Sequence, residues 1–338
     1  MKHWIKVAII AGLALAIGLI AWQGVYEVAD RLASGGWLLL SLGVFFAVPM
    51  GLAALSWSYL FPEGTEPRFP ALARATWVAF SVNSLLPVAQ IGGELVKARL
   101  IVKAGVSGPA AGASVIADKT LQAVTQIAYT VLGLIMLAAA IGGGAYLLPV
   151  LGTTVAFAAG IYLFFRVQTA GMFGAINRIG ERIPGVARIS ARFGSAETLD
   201  AALAGIYRDR HRIGRAVALR MVSRLAMAGE VWLALLLLDH PVTIGEAIIL
   251  ESLGQAIRAA AFAVPGGLGV QEGGFAVLAV ALGFGADVGL ALSLAKRFRE
   301  LVVSLPGLLC WHVIEGRSLL RLPQDDGARP PRSEQPTS

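Results

Sequence analysis

Two glutamates occupy matching settings, each seven residues after a proline within apolar sequence: Pro87-Val-Ala-Gln-Ile-Gly-Gly-Glu94 and Pro265-Gly-Gly-Leu-Gly-Val-Gln-Glu272. Beside Glu94 and Glu272 stand glycines, Gly92, Gly93 and Gly269, which let backbone amides approach a ligand. A carboxylate in hydrocarbon is costly and normally has a partner or a functional role. It can bind a cationic or hydroxylated head group, or take up a proton that drives transport. It can equally serve as a first-turn acid of the helix that follows, favoured by the helix dipole. A charged pair follows each glutamate at the same distance, Asp118-Lys119 in one case and Lys296-Arg297 in the other.

Other polar residues fall at helical spacing. Asp118, Gln122 and Gln126 recur every four residues and so share one helix face, with Tyr129 close to it. Such a face lines a polar cavity or pairs with another helix. Arg220 and Arg224 are one turn apart, and Lys296, Arg297, Arg299 and Glu300 crowd the start of the last apolar run. A guanidinium is a bidentate partner for phosphate; the alternative for Arg220 and for Lys296 to Arg299 is snorkelling to the membrane interface. Arg258, near Glu251 and Gln255, is placed for an internal ion pair, and Asn83, four residues before Pro87, to cap a broken helix or line a cavity.

The elements that must carry these residues are transmembrane helices. Of 338 residues, 57% are hydrophobic and only 14% charged, against about 25% charged in soluble domains. So few charges cannot cover the surface of a soluble globule. Disorder is excluded by the hydrophobicity and a disulfide scaffold by the single cysteine, Cys310. The net charge of +7 is read as cytoplasmic loop charge meeting anionic inner-leaflet lipid, with no nucleic-acid partner. His3, His211, His240 and His312 are scattered, with no His-Glu-x-x-His and no P-loop. Gly267-x-Gly269 lacks the preceding strand of a nucleotide loop. No metal, no cofactor and no enzyme activity are expected.

Six spans are predicted: about Trp4 to Trp22, Trp37 to Phe61, Ala111 to Ile141, Ala145 to Phe165, Ala216 to Leu238 and Leu301 to Leu320. The apolar stretches Ala75 to Ile101 and Ala247 to Leu294 are broken in the middle by Pro, Gly and Glu, which predicts two re-entrant helical hairpins. Nine arginines between 166 and 215 place that segment, and with it both termini, in the cytoplasm. Residues 323–338 form a disordered tail. The expectation is an all-α polytopic membrane protein, one domain over 1–322, with repeat halves at about 37–141 and 215–320.

The halves form a repeat. A shift of 178 residues superposes Pro87 on Pro265, Glu94 on Glu272, Gly105 on Gly283 and Asp118-Lys119 on Lys296-Arg297. With the predicted topology, the hairpins dip in from opposite faces, an inverted repeat of the kind from which many secondary transporters build a midplane site.

These motifs, Asn83 to Glu94, Asp118-Lys119 and Val264-Pro-Gly-Gly-Leu-Gly-Val-Gln-Glu-Gly273, resemble the transmembrane region of the lysylphosphatidylglycerol synthase and flippase family over nearly the whole chain. Together with Lys296-Arg-Phe-Arg-Glu300, the second motif is most similar to the hopanoid-biosynthesis-associated, HpnL-like branch. The resemblance implies a polytopic bacterial inner-membrane protein that moves a lipid between leaflets or supports its synthesis. Aminoacylation is not carried over, because this chain has only a short tail where the full-length synthases carry a transferase domain. The expected site comprises Asn83, Pro87, Gly92, Gly93, Glu94, Asp118, Lys119, Gln122, Arg224, Arg258, Pro265, Gly269, Glu272, Arg297, Arg299 and Glu300. The alternative is a non-transporting scaffold that holds lipid-biosynthesis enzymes at the membrane through residues 172–212 and the tail.

Overall fold

The computed structural model describes residues 36–86, 92–141, 196–260 and 269–319, and these are all helical apart from short connections. The predicted spans at Trp4 and Ala145, most of the basic segment, the tail, and Pro87 and Pro265 lie outside the described residues.

A 3-10 turn at Gly36–Leu39 leads into α1 (Leu40–Phe45) and α2 (Ala47–Ser58). Together they form an apolar stretch, Gly36–Ser58, long enough to cross a bilayer. Then come α3 (Phe69–Leu85), α4 (Gly92–Lys103), α5 (Gly108–Ala140), α6 (Ala196–Arg208), α7 (Arg210–Leu237), α8 (Ile244–Ala260), α9 (Val270–Ala281) and α10 (Ala286–Leu319). Of these, α5 is also long and apolar enough to span. The 28 residues of α7 reach about 42 Å at 1.5 Å per residue, but its charges need partners inside the protein.

The helices of the two expected halves correspond in length. In the first half α3, α4 and α5 have 17, 12 and 33 residues; in the second, α8, α9 and α10 have 17, 12 and 34. Gly105 and Gly283 both take positive φ, +102° and +84°, in the turns that end α4 and α9. That left-handed backbone suits glycine and stops both helices at the same repeat position.

In each half the two shorter helices fold back on one another. Gly93 at the start of α4 lies so close to α3 that a Cβ would stand 2.3 Å from the carbonyl oxygen of Ala79. On the other side Arg258 of α8 meets Gln271 of α9, and Gly254 of α8 packs on Phe275 of α9. One expectation needs correction. The second broken stretch does not end at Leu294: α10 runs unbroken from Ala286 through the predicted last span. Lys296 to Glu300 therefore sit inside a helix and not at the start of one, which is tolerable because Lys296, Arg297, Arg299 and Glu300 all have partners within the bundle.

Two apolar cores flank a polar middle. One gathers Ala54, Trp57, Leu72, Ile101, the first turns of α5 and Ala216 of α7. The other gathers Val231 to Leu238 of α7, Leu250, Phe275 and Val288 to Ala295 of α10. The N-terminal part of α5 thus lies toward the N-terminus of α7, and that of α10 toward its C-terminus, so the equivalent long helices run in opposite directions along α7.

Candidate functional site

Between the two cores α7 carries polar residues, Arg220, Ser223, Arg224 and Glu230, and the helices around it line a partly open cavity of about 280 Å³. Six cations line it, Lys97, Lys119, Arg220, Arg224, Arg258 and Arg299, against two carboxylates, Glu94 and Glu300. Its apolar wall comes from Phe46, Pro49, Met50, Ala53, Phe80 and Met227.

Each charge has a traceable setting. Asp118 is fully buried and accepts from both Lys97 and Arg220, and Gln122 Nε2 donates to it at 3.1 Å. Lys97 also lies 3.9 Å from the centre of the Trp57 ring. Glu94 pairs with Lys119 at 2.8 Å. Asn83 reaches the same corner: its Oδ1 accepts from the backbone N–H of Gly93 at 2.8 Å, holding the first turn of α4 against α3.

Farther round, Arg258 pairs with Glu300. Arg299, 2% exposed, donates to Glu230 at 2.8 Å and stacks 3.9 Å over the Phe46 ring. Arg224 is held differently, by neutral acceptors alone among the described residues: Thr125 Oγ1 at 3.0 Å, the carbonyl of Gln122 at 2.6 Å, and Gln126 Oε1.

The second hairpin's glutamate is elsewhere. Glu272, 1% exposed, pairs with Arg297 and caps α9 by accepting from the N–H of Gly269 at 2.7 Å. Gly269, with φ of +77°, supplies the entry to that helix. Neither Glu272 nor Arg297 lines the cavity. The structure therefore brings Asn83, Glu94, Lys119, Gln122, Arg224, Arg258, Arg299 and Glu300 around one space. Asp118 and Gly93 sit just behind its wall, Gly92 opens α4, and Gly269, Glu272 and Arg297 form a separate cluster around the buried Glu272 carboxylate.

One expectation for a single residue is corrected: Arg220 does not snorkel, being 6% exposed and bound to Asp118. The internal ion pair expected of Arg258 is made with Glu300, while Glu251 holds Lys296 at 2.7 Å. Lys97, Gln255 and Thr76 of the lining, and Glu230 beyond it, do not stand out in the sequence. Glu230 lies two turns beyond Ser223 on α7, a spacing that carries no signal by itself; Lys97, one turn beyond Glu94, is one of three basic residues on α4 with Arg99 and Lys103. No group of three or more His, Cys, Asp or Glu side chains able to hold a metal occurs among the described residues.

The cavity is cationic and walled on one side by apolar groups, and the sequence profile of the lysylphosphatidylglycerol synthase TM region matches residues 9–307. The chain belongs to that family. It is therefore a membrane protein with a lipid-related function. Comparison with curated proteins gives no match.

Proposed function

We propose that this member of the family is a lipid transporter of the flippase type, carrying a polar-headed or hopanoid-related lipid between leaflets of the bacterial inner membrane. The observation that carries the reading is the cationic cavity where the two halves of the repeat meet. Broken helices at a repeat interface are a recurring way to build a substrate site that is opened to each side in turn. In this reading α3–α4 and α8–α9 are re-entrant hairpins entering from opposite faces among six spans. Both termini and the basic segment lie in the cytoplasm against anionic lipid. The opposite directions of α5 and α10 support this inversion.

The head group would occupy the cavity while the chain stays in the bilayer. Glu94 contacts the head group or a proton, the arginines hold its phosphate, and Asp118 positions Lys97 and Arg220. The test is leaflet exchange of labelled lipids in liposomes holding the purified protein, with and without a proton gradient. Loss of exchange in Glu94→Gln is the expected result. Exchange that is intact in the Glu94→Ala, Glu272→Ala double variant overturns the mechanism. Absence of exchange for every lipid favours the scaffold reading, in which deletion of residues 172–212 abolishes function in cells.

A further inference from the structure

Among the described residues the interior charge network does not balance. Six carboxylates, Glu94, Asp118, Glu230, Glu251, Glu272 and Glu300, face eight cations. Five of the acids take one cation each, Asp118 takes two, and Arg224 takes only neutral acceptors among the described residues. Among the described residues two positive charges are left over, Arg224 and the one that Lys97 and Arg220 share at Asp118, and all three side chains line the cavity.

An unneutralised charge in such an interior is costly, and a counter-charge that arrives with a ligand would offset it. Arg220 Nε and Arg299 Nη1, on two of the cavity-lining arginines, are buried without an acceptor among the described residues. We propose that the cavity takes a doubly charged phosphate, a phosphomonoester, at the Arg220–Arg224 turn. Phosphate fits the planar fork of a guanidinium, and a monoester carries about −1.5 to −2 charge at pH 7. A phosphodiester head group brings a single negative charge and a zwitterion none, so each leaves the turn undercompensated. Glu94 is neutralised by Lys119 and does not change the count. The apolar wall at Phe46, Met50, Phe80 and Met227 suits the chain of a lipid that ends in such a phosphate; inorganic phosphate shares the charged chemistry without the chain.

The lipid half of this inference rests on the transport reading, whereas the charge preference does not. The experiment compares binding of phosphatidate, phosphatidylglycerol and phosphatidylcholine with identical chains, and of inorganic phosphate, to the full-length protein in detergent. Wild type, Arg224→Gln and Arg224→Lys are measured side by side. Phosphatidate is expected to bind at least about tenfold more tightly than phosphatidylglycerol. Arg224→Gln should erase that preference, and Arg224→Lys, which keeps the charge, should retain part of it. Equal affinity for phosphatidate and phosphatidylglycerol overturns the proposal, as does a preference that survives Arg224→Gln. Inorganic phosphate binding as tightly as phosphatidate upholds the doubly charged site and counts against the lipid reading. Tight phosphatidate binding without leaflet exchange upholds the site and removes transport alone.

Discussion

The two hairpins hold the same ion pair in two different surroundings. In the first, Glu94 and Lys119 meet at the cavity wall, and the Lys119 side chain is 40% exposed. In the second, Glu272 and Arg297 occupy the same repeat positions, yet the glutamate is sealed at 1% and spends one oxygen capping α9. One chemical motif thus serves as a reachable contact on one side and as a structural clasp on the other. In an alternating transporter those roles would exchange when the cavity opens to the opposite face. The residues behind the pairs differ too: Asp118 ties together Lys97 and Arg220, while its counterpart Lys296 pairs with Glu251.

The largest effect is expected at Asp118. Asp118→Asn leaves two buried cations sharing a neutral amide, and breaking a buried pair in this way costs about 3–5 kcal/mol. Thermal unfolding of the detergent-solubilised protein should show it, and a variant as stable as wild type would mean that water or lipid already compensates Lys97 and Arg220. Next comes the contrast between the glutamates. Glu272→Gln removes the buried carboxylate that faces Arg297 and should cost about 2–4 kcal/mol; Glu94→Gln should cost about 1 kcal/mol or less, because Lys119 relaxes into the open cavity. Equal losses in the two variants would erase the distinction between contact and clasp.

Much of this contrast was legible in the sequence, and its limits are instructive. The prolines and glycines around 87–94 and 265–272 announced where helices break, because backbone chemistry is local. The spacing from Glu94 to Lys119 and from Glu272 to Arg297 was identical, and the structure closes both pairs. Which cation meets Asp118, Glu251 or Glu300 was not legible: Arg220 lies 102 residues from Asp118, and only packing decides among several arginines. The same limit applied to α10. Four charged residues within an apolar run read as a boundary, yet they continue the helix because acids on α7, α8 and α9 receive the three cations and Arg258 of α8 meets Glu300. The sealing of Glu272 and the openness of Glu94 follow from that packing, which no spacing encodes.

The smallest effect lies outside the bundle and bears on how the two halves are tied. Arg212, at the start of α7, reaches back to the α2–α3 connection: its Nη2 meets Glu66 at 2.7 Å, and its Nε donates to the carbonyl of Tyr59 at 3.3 Å. The Glu66 carboxyl is held below its ordinary value of 4.5, first by a hydrogen bond from its own backbone N–H and then by Arg212. A depressed carboxyl contributes stability that is present above the unfolded value and lost as pH falls through the folded one. Unfolding measured at falling pH should therefore show a small loss that begins near pH 4.5 and continues below it. Glu66→Gln should remove that component while leaving stability near neutral pH only slightly reduced, since this pair is partly open to solvent. The second half has no equivalent tie among the described residues, because its connection at Thr243 is closed by Glu246 of the same turn, at 2.7 Å from the Thr243 N–H. If Glu66→Gln leaves the acid limb unchanged, the Arg212 contact is incidental, and the halves are joined through the bundle interior, where Asp118 and Arg220 already link α5 to α7.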